Sequence, residues 1–416
     1  MRNTLVALCL VAAAVAAAAG CSQEKASPTA KLLTTLDVQL IDPPPDGLGS
    51  PMAPVDVKQA TFNVIARDEQ GNVVTNDVDV DVFISFGGVK TGANSACGAD
   101  IAGNQPIEKV TLKAGMLMNH TVQLPLAFGS TSIWIDEPNS GATGASPTIY
   151  FRNAYIDEAQ TPPDLMATNA TFCSPFNGKF LIFDHARNGG QLVVGAVYNN
   201  AFTITDTGLP PGQFNSIYVY AFGKPPPYIV EGKVITSFSG NYSKFVGFTE
   251  LNFPLFDAAD DTVPLATLPP PVQLSFADIG NTAKMLGASA SVVTYTGTIC
   301  DPTAAANAQS WEKFNQFVLD NNGMCDSFSN IAVELPAKVL GSFDPLKNVN
   351  ATATITGMLR NNSGQNPYLD ANGNAISCSD TVPCAKGSCI TGTCYKNAFN
   401  FWTIDPRRQE DIVIAP

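Results

Sequence analysis

The sequence predicts an all-β protein: an immunoglobulin-like β-sandwich followed by one or two OB-like β-barrels, behind an amino-terminal signal helix. Three features lead there. Val78, Val80, Val82, Ile84 and Phe86 alternate with Asp77, Asp79, Asp81 and Ser85, the period of a strand with one face on a core and one in water. Short runs of this kind recur between turn residues drawn from 33 glycines and 30 prolines. Helical patterning is scarce, and past the amino-terminal segment only residues 303–314 carry it, around Ala304-Ala305-Ala306. A hydrophobic share of 45% is ample for packed cores.

The chain opens with Arg2, an apolar run over residues 5–19 and the small residues before Cys21, the layout of a secretory signal. The run is too short to span a bilayer, which takes about 20 apolar residues. Ala18-Ala19-Gly20-Cys21 resembles the lipobox of bacterial lipoproteins, with Ala18 where that family usually has Leu. The resemblance implies cleavage after residue 20, lipidation of Cys21 and anchoring to a bacterial membrane, with the outer membrane or cell surface as the expected location. Stable anchoring takes at least two hydrophobic signals, a need that a multiply acylated cysteine meets. Residues 21–35 read as a flexible tether.

The first body is expected over residues 36–152. Phe62-Asn63-Val64-Ile65-Ala66-Arg67 runs into Asp68-Glu69-Gln70-Gly71-Asn72 and returns through Val73-Val74, the pattern of a hairpin. Further strands are expected over 110–112, 121–124, 132–135 and 148–151, the spacing of a sandwich. The hairpin and its turn resemble the immunoglobulin-like domains of invasin-type bacterial surface proteins.

Gln160-Thr161-Pro162-Pro163-Asp164 reads as a connector to a second body over 164–262. There, residues 191–197 with internal Gly195, the run Phe202-Thr203-Ile204-Thr205-Asp206, residues 216–220 and a run ending in Gly240 follow one another. This order resembles the OB-fold, in which strand glycines relieve the coiling of a small barrel. A proline-rich spacer, Leu268-Pro269-Pro270-Pro271, precedes a third body over 272–416. Its runs 293–299 (with Gly297), 317–320, 331–335 and 351–357 (with Gly357) repeat the order more loosely, and 399–404 is its closing strand. A cysteine-rich insert, 366–396, interrupts it.

Ten cysteines are present. Cys9 leaves with the signal and Cys21 takes lipid, and the remaining even number in an exported chain reads as disulfides. Cys378, Cys384, Cys389 and Cys394 staple the insert; a four-thiolate zinc site is the alternative, against which stands the absence of tight C-x2-C pairs. Cys300 is expected to pair with Cys325 inside one body, Cys97 with Cys173 would join two, and sequence alone does not fix the connectivity.

A formal net charge of −13 and only 14% charged residues argue against nucleic acid as a partner, since that affinity rests on neutralised phosphates. Two histidines rule out a multi-His metal site, and no metal or cofactor is expected. Asp77, Asp79 and Asp81 read as a solvated acidic face, with a calcium site as the alternative. Asp370-Ala371-Asn372-Gly373-Asn374 opens like a calcium loop but lacks its closing Glu. Asp184-His185-Ala186-Arg187 gathers a carboxylate, an imidazole and a guanidinium, yet no G-x-S-x-G motif accompanies it; an ion pair at a strand end is expected, with catalysis by His185 as the alternative. His120 is expected in water. Among Phe214, Tyr218, Tyr220, Phe222 and Tyr228, the trio Tyr218, Tyr220 and Phe222 shares one strand parity and forms either core or a ligand face.

The whole reads as a membrane-anchored, non-enzymatic surface module for adhesion or envelope assembly, with an envelope protein or glycan as partner. The rival is a ligand-binding module whose barrel holds a glycan, ahead of single-stranded nucleic acid. Saccharide binding lost on Tyr218→Ala separates the two.

Overall fold

The computed structural model describes residues 32–43, 56–91, 106–161, 174, 176–245, 247–304, 308–321, 325, 331–336, 339, 341–361, 370, 376–378, 382, 388–390, 393–395 and 402–415. The signal segment, Cys21, Cys97, Cys173, Cys384 and nearly all of the Asp370–Asn374 stretch lie outside the described residues. The chain is all-β, built from three large sheets.

The first sheet has nine strands: β1 (Thr35–Asp42), β2 (Gln59–Arg67), β3 (Val78–Phe86), β4 (Val89–Thr91), β5 (Glu108–Leu112), β6 (Met116–Gln123), β7 (Ser130–Asp136), β8 (Thr143–Ala145) and β9 (Ile149–Tyr150). One half pairs β1, β2 and β6; the other groups β4, β5 and β7 about β3, with β9 on the β7 edge. Strand β8 joins them, parallel to β1 and antiparallel to β7. Phe62 and Val64 from the first half share a core with Val82, Ile84, Ile133 and Ile135 from the second. The alternation expected in β3 is present: Val80, Val82, Ile84 and Phe86 are buried, and Phe83 joins them.

One detail differs from the sequence reading and a second accords with it. The segment after Arg67 does turn, held by Asp68 Oδ1 accepting from the amides of Gln70 and Asn72, but it touches β2 through only an isolated Arg67–Val73 bridge. The ladder partners of β2 are β1 and β6, because Phe62, Val64 and Ala66 find their full apolar surroundings there and not against the short Val73-Val74 run. The acidic face is closed pairwise across β3 and β5: Asp77 meets Lys113 Nζ at 3.0 Å, Asp79 accepts from Thr111 Oγ1 at 2.5 Å, and Asp81 lies 3.8 Å from Lys109 Nζ. These oxygens serve exposed cross-strand pairs, as the solvated-face reading requires.

The helix α1 (Ile156–Gln160) follows, capped by Glu158, which also holds Arg152 at 2.6 Å. It docks on the second sheet, where Gln160 Nε2 donates to the Ser216 carbonyl and the Ala159 carbonyl accepts from Tyr242 Oη at 2.9 Å. Apolar packing is continuous from the first sheet into the second through Phe86, Phe128, Phe176 and Tyr242.

The second sheet comprises β10 (Phe180–Ile182), β11 (Leu192–Val197), β12 (Ala201–Asp206), β13 (Ser216–Tyr220), β14 (Val234–Phe245) and β15 (Phe248–Ala258). Pairings run β14-β11-β12-β13-β15 and back to β14, so five strands close a ring, with β13 and β15 parallel. Counting from β11, the order is first, second, third, fifth, fourth: the connectivity that the OB-fold resemblance implies. Gly195 permits the tight coiling, since a Cβ there would stand 2.7 Å from Thr205 Oγ1.

After the spacer come β16 (Val272–Gln273), the short helices α2 (Phe276–Ile279) and α3 (Thr282–Gly287), β17 (Val292–Ile299), helix α4 (Ala308–Phe314), β18 (Gln316–Asp320), β19 (Ile331–Glu334) and β20 (Thr352–Asn361). A small hairpin, β21 (Ser388–Ile390) with β22 (Thr393–Tyr395), precedes β23 (Trp402–Asp405) and β24 (Ile412–Ile414). Pairings β17-β18-β19-β23-β20 return to β17, again with the third and fifth members parallel. The two barrels therefore share one topology. Gly357 is the close-approach position in the second, where a Cβ would lie 2.4 Å from the Asp405 carbonyl oxygen.

Cys300 and Cys325 form a disulfide with a sequence separation of 25, tying the end of β17 to the segment after β18. Cys378 and Cys394 are also disulfide-bonded, so neither is a zinc thiolate, and Cys389 faces Cys394 across the small hairpin. Among the described residues no helix is long and apolar enough to cross a membrane.

Candidate functional site

Between the two barrels lies a cleft of about 530 Å³. The first barrel contributes Asn199 and Asn200 from the β11–β12 turn, Tyr218 and Tyr220 from β13, Phe222 just beyond it, and Glu250 and Asn252 from β15. The second contributes Glu334 from β19, Met358 and Arg360 from β20 and Asp405 from β23. On the first barrel the cleft is thus bounded by the first-to-second turn and by the third and fifth strands.

Tyr218, Tyr220 and Phe222, for which the sequence favours core with a ligand face as the alternative, all line this cleft. Strand parity places only two of them. Strand β13 ends at Tyr220, and Phe222 sits at φ 58°, where the left-handed turn folds its ring back to 4.6 Å from Tyr220. Phe253 on β15 is also left-handed, at φ 51°, and stacks on Phe222 with centroids 4.7 Å apart. It stands in a bulge: Asn241 pairs with Asn252 and Ser239 with Leu255, leaving Phe253 and Pro254 outside the ladder. A bulge re-aims a side chain, and non-glycine residues with positive φ persist only where their surroundings impose them. Here the result is a stacked phenylalanine pair held largely in water, 55% and 68% exposed.

Polar groups line the opposite wall. Arg360 reaches Glu334 at 2.6 Å and Asp405 at 3.1 Å, so one guanidinium serves two carboxylates from neighbouring strands. Burial pushes the Asp405 carboxyl upward against the pull of Arg360, and the charge on Glu334 adds to the rise. Glu250 has no hydrogen-bond or ion-pair partner among the described residues, and burial lifts its carboxyl to about 7. The Asn252 side-chain oxygen, buried one pleat further along the same face, likewise lacks a donor among the described residues. The parallel register sets Glu250 beside Tyr218 and Asn252 beside Tyr220.

The barrels are held in register around the cleft. Tyr198 Oη donates to the Asp405 carbonyl at 2.8 Å and receives the Met358 amide at 3.3 Å. Ser291 Oγ donates to Asn215 Oδ1 at 3.0 Å, and Glu231 takes both Arg407 and Arg408 at 3.2 Å.

A carboxyl raised in the folded state binds its proton more tightly than in the unfolded chain. Its stabilising contribution is therefore complete below about pH 4.5 and is lost as pH rises through about 7. Glu250→Gln is expected to remove this part of the pH dependence, raising stability near pH 8 by on the order of 2 kcal/mol with little effect near pH 4. Denaturant unfolding at the two pH values checks it. A slope unchanged in the variant would place the titration elsewhere among Arg360, Glu334, Asp405 and Tyr218, which face the same space.

The remaining candidates lie outside the cleft. The His185 side chain is 76% exposed, bonded to Asp184 and edge-on to Tyr155, while Arg187 pairs with Asp157. His120 departs from the sequence reading: it is half-buried against Phe62 and 3.0 Å from Glu108, because β2 and β6 pair at Phe62 and His120. Phe214 packs against the second barrel's core and Tyr228 is exposed. Among the described residues the one Cys/Asp cluster is Cys300, Asp320 and Cys325, whose two sulfurs are joined to each other.

The chain matches no family model, no curated protein and no solved structure.

Proposed function

We propose that the protein is a lipid-anchored envelope module that holds a glycan in the cleft between its two barrels. One observation carries the reading: aromatic rings and hydrogen-bond acceptors converge on the OB face used for oligosaccharides, in a space within the range of small-molecule sites, about 300–1,000 Å³. Sugar rings present apolar faces for Tyr220 and Phe222 and hydroxyl donors for Asn252 and Glu250. Single-stranded nucleic acid fits less well, since its grooves are basic and this one carries Glu250, Glu334 and Asp405 against Arg360. Binding without turnover is favoured because glycoside hydrolysis takes two working carboxyls, and Arg360 engages two of the three here. The first body, read as an immunoglobulin-like spacer of the invasin type, would carry the cleft away from the membrane in the service of adhesion or envelope assembly.

The test is a saccharide-binding screen of the detergent-solubilised full-length protein. Tyr220→Ala is expected to weaken a positive interaction about tenfold, roughly 1.4 kcal/mol, without lowering thermal stability by more than a few degrees. A panel with no binding, or binding indifferent to Tyr220, would refute the cleft reading. The anchor is tested separately: Cys21→Ser is expected to move the protein from membrane to soluble fractions, and continued retention would refute lipidation.

A further inference from the structure

Among the described residues, two acceptors in the cleft are without donors, and they are not equivalent. Asn252 offers a neutral carbonyl oxygen, which a hydroxyl satisfies. Glu250 offers a carboxylate, which is satisfied fully only by a cation. Arg360, the cation across the cleft, is committed to Glu334 at 2.6 Å and Asp405 at 3.1 Å. With three carboxylates against one guanidinium, the lining has a formal charge of −2. Glu250 is the register neighbour of Tyr218, and Tyr220 and Phe222 continue the aromatic lining, with Phe253 stacked behind Phe222. Ring faces attract cations and the net charge repels anions.

We infer that the cleft selects amino sugars bearing a free ammonium group, with the ammonium on Glu250, a hydroxyl on Asn252 and the sugar ring against Tyr220 and Phe222. The inference rests on the saccharide reading above and names the class of saccharide. An ammonium there supplies the directly paired cation that Glu250 lacks among the described residues, which accords with a carboxyl that burial raises to about 7 against the weaker pull of Arg360. N-acetylation would remove the charge and leave the carboxylate unpaired, and a uronic acid would set like charges face to face.

Calorimetric titration of the full-length protein in detergent, near neutral pH, decides the matter. The probes are a β-1,4-linked glucosamine oligomer, its fully N-acetylated form and a uronic acid oligomer of equal length. The glucosamine oligomer is expected to bind at least about tenfold tighter than the acetylated form, with the uronic acid weakest. Glu250→Gln, which keeps the side chain's shape, is expected to bring the affinities for the first two to within about twofold of each other, with an unchanged melting profile near pH 4 showing that the variant is folded. Equal or tighter binding of the acetylated form by the natural protein would overturn the inference and leave the saccharide reading standing. Failure of all three probes, with failure across a broad glycan panel, would overturn both. A lysine-rich peptide that binds through Glu250 more tightly than the glucosamine oligomer would also overturn the inference, by assigning the carboxylate to a peptide ammonium.

Discussion

Replacing both Cys300 and Cys325 with alanine is expected to destabilise the second barrel by about 3–4 kcal/mol, from the loop-entropy cost released when a link between residues 25 apart is cut. In a body of this size that corresponds to a fall in melting temperature of about 10 °C. The link matters more here than its length alone suggests. It joins β17 to the segment that leaves β18, whose own ladder with β17 pairs only Thr298 with Asp320 and Ile299 with Leu319. The rest of β17 is zipped to β20, so the covalent bond supports the weakest seam of the ring. The Cys325 amide also donates to Asp320 Oδ2 at 2.6 Å, and this contact loses its anchorage when the sulfurs part. Thermal scans with and without reductant check the expectation; coincident scans would mean that the seam carries itself.

The second large effect is expected at Arg360. Substitution by methionine keeps the volume and removes the one cation that Glu334 and Asp405 share. Removing one partner of a buried pair costs roughly 3–5 kcal/mol. Solvent reaches 24% of the Arg360 side chain, which moves the expectation to the lower end, about 3 kcal/mol. The sign with pH follows from the partners. With the guanidinium gone, the Asp405 carboxyl, already raised by burial, loses the charge that pulls it down and holds its proton still more tightly than in the unfolded chain. The loss is then smallest at about pH 4, where Asp405 is protonated, and grows as pH rises toward about 8. Urea unfolding across that range reads it out, and a loss independent of pH would assign the effect to packing against Met358 instead.

Much of the architecture was legible because closed five-stranded rings impose local demands that the chain must meet locally. Gly195 and Gly357 are needed where strands coil sharply, and the runs around them alternate because each strand has a filled inner face. Strand β15 escaped notice for an equally local reason: Pro254 interrupts its pattern, and a proline inside a run argues against a ladder. The bulge that leaves Phe253 and Pro254 unpaired resolves the conflict, and nothing in the sequence alone announces it. In the first body, β1 was hidden by its place at the end of a polar, proline-bearing stretch.

The site was half legible. Tyr218 and Tyr220 followed from strand parity, but the choice between core and cleft depends on what lies opposite. That wall comes from Glu334, Arg360 and Asp405, distant in sequence and brought there by the second barrel. A signal was available in retrospect. Glu250 and Asn252 place polar groups at alternate positions of a strand whose neighbour presents Tyr218 and Tyr220, a combination unsuited to a barrel interior.

The parallel seam between third and fifth strands also governs the order in which the molecule can be finished. In the second barrel, β19 and β20 both need β23, which is made only after the whole cysteine-bearing excursion beyond Asn361. A chain emerging amino end first must therefore wait with two bare strand margins until that excursion has been synthesised, the high contact order that slows folding. Those margins are adhesive toward any other extended peptide while they wait. The same delay falls on the cleft, since Asp405 is the last residue of the strand that completes it. The cleft is thus complete only in molecules in which β23 has been made and docked.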